Sequence, residues 1–218
     1  INYFNNQKRE INKIKEVVAT LTEKKVVSKK TVRDALQKYR KTYKTAYIKP
    51  LARAGAEYVL NFVNEEAIMN KIRTVIEVES PIEENCLIDK IAAAFCVPKT
   101  AKKAIAQISR YVSSYEAQRQ EYSGKVFYVD KPVSTFRPSD ARVTRDLTKV
   151  HPDEIVAAAK CAIEATVYIE KDDLNKEVFK LFNVAKRTKS AVEWVDAALS
   201  AAVQTGEIIV TPDGFCRI

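Results

Sequence analysis

The chain has 218 residues, of which 46% are hydrophobic and 30% are charged, and its net charge is +9. This composition excludes a wholly disordered chain, and no run approaches the roughly 20 apolar residues that a membrane span needs. Residues 1–9 are polar and basic, without the apolar run of a signal peptide, so we expect a cytoplasmic protein with no membrane partner.

Residues 1–62 are predicted to form a basic helical segment. Residues 1–55 hold 15 Lys/Arg and 4 Asp/Glu, a balance of +11, whereas residues 56–218 hold 22 and 24, a balance of −2. Ser28 is the expected N-cap of a helix over residues 29–43. An earlier apolar stripe predicts a helix through Ile11, Ile14, Val17, Val18 and Leu21. A basic block favours a polyanionic partner, such as nucleic acid or an acidic membrane surface, and a solvated helix face is the equal alternative.

The most informative feature is an internal repeat. Residues 66–112 align without a gap with residues 153–199, at an offset of 87. Of these 47 positions 11 are identical, whereas a chance alignment gives only about 3. The identical pairs include Ile68/Ile155, Glu77/Glu164, Leu87/Leu174, Phe95/Phe182, Val97/Val184 and Lys99/Lys186. A duplication is therefore favoured.

Each copy follows the same predicted plan. Its first helix carries apolar residues at i, i+4, i+7 and i+8, and a second and a third amphipathic helix follow. Strand-like runs close the copies, at 125–129 in the first and at 207–210 and 215–218 in the second. Residues 211–214, Thr-Pro-Asp-Gly, are a strong hairpin turn signal. Three helices followed by a β-hairpin are the plan of a winged helix.

We therefore predict a mainly α protein with small β-hairpins, in which tandem winged-helix-like repeats follow a helical segment. The first repeat spans residues 63–130 and the second repeat spans residues 151–218. Residues 131–150, which contain two prolines and several basic side chains, are predicted to be a linker. Its charges are expected to keep it solvated, although an extended basic linker can also follow a phosphate backbone.

The sequence offers no catalytic constellation. The four glycines form no G-x-G-x-x-G loop, and Gly124-Lys125 is not a P-loop because Arg119 replaces its first glycine. The single histidine, His151, stands alone at a predicted helix start, and the four cysteines show no C-x-x-C pair for zinc. We predict that this chain is not an enzyme and takes no cofactor or metal.

The better candidate site is a basic turn before the third helix of each repeat. In helix-turn-helix folds the N-terminal end of this helix enters the major groove, where Lys and Arg reach phosphates. Because lysine alone does not read sequence, we expect weakly specific binding. A solvated turn between two buried helices is the alternative. The candidate nucleic-acid-binding residues are Lys99, Lys102, Lys103, Lys186, Arg187 and Lys189.

Aromatic residues cluster around the first predicted hairpin. Single-stranded nucleic acid stacks on such side chains in some proteins, and burial in the core is the more usual explanation. The cluster consists of Tyr111, Tyr115, Tyr122, Phe127 and Tyr128.

Several motifs resemble a known family. They are Ser-Pro-Ile-Glu at 80–83, Phe-Cys-Val-Pro-Lys-Thr at 95–100 and Phe-Asn-Val-Ala-Lys-Arg-Thr at 182–188, together with 136–138 and 150–155. Over roughly residues 66–218 the chain resembles the uncharacterised C-terminal domain of large bacterial superfamily 1 DNA helicase-related proteins. In that family a glycine precedes the basic turn, where this chain has Cys96 and Asn183.

The resemblance implies a bacterial chain with helicase or nuclease domains in the same polypeptide, and a parent protein that is an ATP-dependent DNA helicase. We therefore expect an accessory C-terminal region that binds nucleic acid, chiefly duplex DNA. The alternative is a protein–protein interaction or scaffolding module of the same fold, because a fold does not dictate function.

Overall fold

The structure is a computed structural model that describes residues 29–52, 54–116, 118–139, 143–166 and 169–218. These residues form a mainly helical fold with two small antiparallel sheets, which confirms the predicted fold class at that level. The apolar stripe from Ile11 to Leu21 and the N-cap Ser28 lie outside the described residues.

The N-terminal segment contains two helices in its described part, α1 (Lys29–Tyr39) and α2 (Gly55–Leu60), and a 3-10 turn at Phe62–Asn64. Helix α1 ends four residues earlier than the sequence predicts, and the chain from residue 40 to 52 is not helical.

The first repeat has the element order α-β-α-α-β-β. Its two-residue strand β1 pairs with β3, and β3 pairs with β2, so β3 is the central strand. The sequence predicts β3 correctly, whereas β1 and β2 were not predicted as strands. The elements are α3 (Glu65–Glu79), β1 (Ile82–Glu83), α4 (Glu84–Ala94), α5 (Lys102–Ser114), β2 (Gln118–Tyr122) and β3 (Lys125–Val129).

The second repeat has the same element order and the same sheet order, with its last strand in the centre. The duplication therefore extends to the strand pairing, beyond the aligned residues. Its elements are α6 (Pro152–Thr166), β4 (Ile169–Glu170), α7 (Lys171–Leu181), α8 (Lys189–Gln204), β5 (Ile209–Val210) and β6 (Phe215–Arg217).

The second helix of each repeat ends in the same turn. Cys96 and Asn183 have left-handed backbones, with φ of 56° and 55°. The next amide donates to a carbonyl five residues back in both turns, Val97 to Ala92 at 2.9 Å and Val184 to Phe179 at 3.0 Å. This Schellman-type ending usually carries glycine. The backbone of the turn is therefore the same in both repeats, although neither residue is glycine.

Strand β3 belongs to both hydrophobic cores. Tyr128 packs into the core of the first repeat, whereas Phe127 and Val129 pack into the core of the second repeat. Successive side chains of a strand point to opposite faces, so one strand fills both cores only if the repeats lie against its two sides. Strand β3 of the first hairpin therefore lies between the two repeats and contributes side chains to both cores.

The N-terminal segment also joins the two repeats. Helix α1 buries Ala35 and Tyr39 in the core of the second repeat, where the Tyr39 hydroxyl donates to Glu164 at 2.7 Å. Further along the chain, Ala46 lies in the core of the first repeat and its amide donates to the buried carboxylate of Glu79 at 2.9 Å. The N-terminal segment therefore contacts the cores of both repeats.

A buried ionic cluster, which we call the Glu154 cluster, fastens the segment between the repeats. Arg137 donates to Glu154 from Nε at 3.0 Å and from Nη2 at 2.6 Å, and Arg145 donates to it at 2.8 and 3.0 Å. Arg137 also donates to the carbonyls of Glu79 and Ser80 at the end of α3, both at 2.9 Å. One carboxylate on α6 thus holds the end of α3 through Arg137.

The Arg137 and Arg145 side chains are only 10% and 9% exposed. The expectation that the charges of this segment keep it solvated is therefore wrong for these two residues. Burial alone would raise the pKa of Glu154, but Arg145 and Arg137 outweigh burial and hold that pKa below its ordinary value.

Candidate nucleic-acid interface

The N-terminal end of α5 is open and positively charged. Ala101 occupies the N-cap position, so no side chain caps the first amides of the helix. The first turn contains Lys102 and Lys103, both exposed, and no acidic residue. Helix dipoles favour anions at this end, and lysines there are unfavourable unless an anion is present. Lys102 and Lys103 therefore slightly destabilise the isolated helix, and they favour the binding of an anion at its N-terminal end.

One face of α5 continues this positive surface. Lys103, Ala106, Gln107 and Arg110 follow the spacing i, i+3, i+4 and i+7 and are exposed or half-buried. The opposite face is buried in the core of the first repeat, through Ala104, Ile108, Tyr111 and Val112. Residues 97–115 include four Lys/Arg and no Asp/Glu. Arg110 is an addition to the predicted site, and its helical spacing from Lys103 is the sequence signal that could have identified it.

Lys99 lies in the turn before α5. Its side chain is 84% exposed and its ammonium is 3.3 Å from the carboxylate of Asp89. An exposed pair of this kind contributes little and exchanges readily for another anion. Lys99, Lys102, Lys103 and Arg110 therefore form a set, which we call the α5 basic face.

In the second repeat, more side chains of the basic turn have partners within the protein than in the first repeat. Thr188 caps α8 by accepting from the amide of Ala191 at 3.3 Å. Arg187 donates to Asn175 at 2.9 Å, and Lys189 lies 3.8 Å from Glu193 on the same helix. Lys186 is exposed. Residues 184–204 hold three Lys/Arg and two Asp/Glu, so this surface is nearly neutral.

The first hairpin contacts α8 around Trp194, on the side that corresponds to the α5 basic face, while the neighbouring Ser190, Glu193 and Ala197 are exposed. At the offset of 87, Gln107 corresponds to Trp194 and Arg110 to Ala197. The Trp194 ring packs edge-on against Tyr122, with centroids 5.4 Å apart, and the Tyr122 hydroxyl donates to the Ala197 carbonyl at 3.0 Å. The hairpin therefore buries Trp194, whereas Gln107, at the equivalent position of the first repeat, is half-buried.

The ammonium of Lys125, at the start of β3, lies 4.2 Å from the centroid of the Trp194 ring and donates to the carbonyl of Thr148. The indole itself donates to the carbonyl of Val150 at 3.0 Å. The Trp194 indole and the Lys125 ammonium therefore both have hydrogen-bond acceptors within the contact between the hairpin and α8.

The aromatic cluster of the first hairpin belongs mostly to the interior. Tyr111, Phe127 and Tyr128 are buried, while Tyr115 and Tyr122 are half-buried. The Tyr128 hydroxyl donates to the carbonyl of Val112 at 2.9 Å. This geometry favours the core interpretation of the cluster over stacking of bases.

His151 caps a helix. Its Nδ1 accepts from the amide of Asp153 at 3.2 Å, so the ring proton is on Nε2, which donates to Gln120 at 2.9 Å. Burial lowers the pKa of His151, and the nearby carboxylates of Asp153 and Glu154 only partly oppose this effect. The imidazole is therefore neutral and structural in this position.

Within the described ranges, no three His, Cys, Asp or Glu side chains lie close enough together to hold a metal ion. Cys161 and Cys216 are buried, Cys86 is half-buried and Cys96 is exposed, and all four are free thiols. Burial raises the pKa of Cys86 and of Cys161 to about 11, so these thiols are protonated near neutral pH.

Comparison of the chain with family models, with curated proteins and with solved structures gives no match. The resemblance to the helicase-associated domain therefore stays a prediction from the sequence motifs. In the part of the chain that the structure describes, none of the helices combines the length and the apolar character of a membrane span.

Proposed function

We propose that this chain is a nucleic-acid-binding module of two winged-helix-type units and that the first repeat contacts duplex DNA through the α5 basic face. The shared element order α-β-α-α-β-β, with the first strand beside the last, supports the winged-helix assignment. In that fold α5 is the helix that enters the major groove.

The observation that carries the proposal is the charge of the exposed side of α5. Lys102 and Lys103 lie beside the uncapped amides of the helix, and Arg110 lies two turns further along the same side. Lysines and helix amides contact phosphates without reading bases. Binding is therefore electrostatic and weakly specific, and a longer parent polypeptide with a helicase motor would supply the activity.

The second repeat takes a supporting role in this proposal. Its third helix contacts the first hairpin through Trp194 and carries the acidic Glu193 and Asp196 among its exposed residues. Lys186, Arg187 and Lys189 remain candidate phosphate contacts at the edge of the interface rather than in a groove.

Fluorescence anisotropy with a labelled duplex and a labelled single strand, titrated across salt, tests the proposal. Four phosphate contacts predict a slope of log K against log salt of about −3.6 for duplex DNA. Tighter binding to the duplex than to the single strand, with a slope of that order, is the expected result. The proposal fails if neither labelled strand binds at low salt.

A protein-docking module is the second candidate. The 3-10 turn between α2 and α3 exposes Phe62 and Val63, at 78% and 74%, with Leu60 beside them at 48%. An exposed apolar cluster favours contact with another protein surface. Docking of this kind is insensitive to salt, so the same titration separates the two candidates.

A further inference from the structure

A basic groove lies at the junction of the N-terminal segment and the second repeat. Its volume is about 650 Å³, and the chain around residues 29–43, 138–139 and 183 forms its walls. This volume is in the range of sites that enclose small ligands, about 300–1,000 Å³. The groove is separate from the α5 basic face, which shares no residue with it.

The cationic side chains of the groove are Lys29, Arg33, Arg40 and Lys41. Lys29 and Arg33 lie one turn apart on the exposed side of α1, whose other side buries Ala35 and Tyr39 in the core of the second repeat, and Arg40 and Lys41 follow directly after the helix. The groove therefore collects positive charge along α1 and the two residues that follow it.

No carboxylate is among the described residues that line this groove, and no ion pair of its four cations occurs in the described part of the chain. The uncharged polar wall is fixed, because the side-chain amide of Asn183 donates to the Ser139 carbonyl at 2.8 Å. Four cations around one concavity repel one another, and an anion in the groove removes that repulsion.

We infer that this groove binds consecutive phosphate groups of a nucleic-acid backbone, as a second contact beside the α5 basic face. The inference rests on the proposed function and adds a second binding surface, which the N-terminal segment supplies beside the second repeat. Among the described residues that line the groove, the only aromatic one is Tyr43, whose hydroxyl is bonded to Glu79 and whose ring faces Arg137 and Arg145. The groove therefore recognises charge and spacing, and not bases.

The test compares charge-reversal variants of the whole chain. Arg33→Glu/Arg40→Glu reverses two of the four groove cations, and Lys102→Glu/Lys103→Glu reverses two of the four cations of the α5 basic face. Lys30→Glu/Lys44→Glu is the matched control on exposed residues outside both sites. Binding of a labelled duplex and of inorganic polyphosphate is measured across salt. Circular dichroism and thermal melting check that the variants fold, as their exposed side chains predict.

The groove variant is expected to bind the duplex at least tenfold more weakly at about 0.1 M salt, with a slope lower by about two. The control should remain close to the original chain, because its lysines line neither site. This pair of results supports the groove as a backbone contact.

Three results overturn it. If the groove variant binds the duplex as the original chain does while the α5 variant is weakened, the groove inference fails and the proposed function stands. If nothing binds the duplex but polyphosphate binds and is lost in the groove variant, the proposed function fails and the groove is a site for free polyphosphate. Absence of both activities overturns both statements.

Discussion

The hydroxyl of Tyr122 donates a hydrogen bond to the carbonyl of Ala197, 3.0 Å away, and so fastens the hairpin of the first repeat onto the third helix of the second. The two repeats have the same topology, but the exposed surfaces of their third helices differ. In the first repeat the third helix presents a basic face to solvent. In the second repeat the equivalent side of the helix packs against the hairpin through Trp194, while Ser190 and Glu193 are exposed and the surface is nearly neutral.

Trp194 is the main apolar element of that contact, so Trp194→Ala should destabilise the chain by about 3–5 kcal/mol. Tyr122→Phe, which keeps the ring and removes only the hydroxyl, should cost about 1 kcal/mol. Urea unfolding followed by circular dichroism measures both. Equal and small losses for the two variants would contradict a packed contact at this place.

The Glu154 cluster predicts a large effect from a small change. Glu154→Gln leaves two buried guanidinium groups without their carboxylate, and loss of one partner of such a cluster costs about 3–5 kcal/mol. Glu164→Gln is the control on the same helix, because Glu164 is partly exposed, its pair with Lys38 lies at the surface, and a glutamine oxygen still accepts from the Tyr39 hydroxyl; this variant should therefore lose much less stability. A Glu154→Gln variant as stable as Glu164→Gln would show that the cluster does not hold the repeats together.

The pKa of His151 is lowered by burial, so the unfolded chain binds a proton there more readily than the folded chain does. Its contribution to stability is present above the ordinary histidine pKa of 6.5 and is lost as the pH falls below it. His151→Asn keeps an acceptor for the Asp153 amide and does not titrate. Urea midpoints from pH 7.5 to 5.5 should therefore fall in the original chain and fall less in His151→Asn.

The carboxyl of Glu154 also has a lowered pKa, and its contribution is lost at lower pH, as the pH falls below its ordinary value of 4.5. Acid unfolding of the original chain should therefore show two regions of pH dependence. A curve without the upper region would contradict the buried, neutral state of His151.

Two left-handed residues in equivalent turns should respond oppositely to glycine. Cys96 adopts φ of 56°, and its side chain is exposed, so Cys96→Gly should stabilise the chain by about 0.5–1 kcal/mol. Asn183 tolerates this conformation better, and its amide donates to Ser139, so Asn183→Gly should be neutral or destabilising. Thermal melting of the two variants checks the difference. A destabilised Cys96→Gly would contradict the assigned turn.

The repeat, the order of the three helices and strand β3 follow from the sequence, because apolar spacing and turn residues are local signals. The strands β1 and β4 are two residues long, and only their pairing with β3 and β6 makes them strands. The pattern of one copy therefore did not identify them.

The asymmetry between the repeats could not be predicted, because it depends on distant residues. Arg137 and Arg145 look like solvated linker charges until Glu154, on α6, lies beside them. Likewise, Lys102 and Lys189 occupy equivalent places in the sequence repeat, but Lys189 has Thr188 and Glu193 beside it, and Trp194 on its helix packs under the first hairpin. A basic turn in a sequence therefore does not indicate whether the adjoining helix face is free.

The most direct test of the central claim compares equal charge reversals in the two repeats. Duplex binding is measured by anisotropy for Lys102→Glu/Lys103→Glu and for Lys186→Glu/Lys189→Glu, at one salt concentration and across salt. We predict that the first variant loses more than tenfold in affinity and about two units of salt slope, while the second loses clearly less. Equal losses, or a larger loss in the second variant, would contradict the assignment of DNA contact to the α5 basic face.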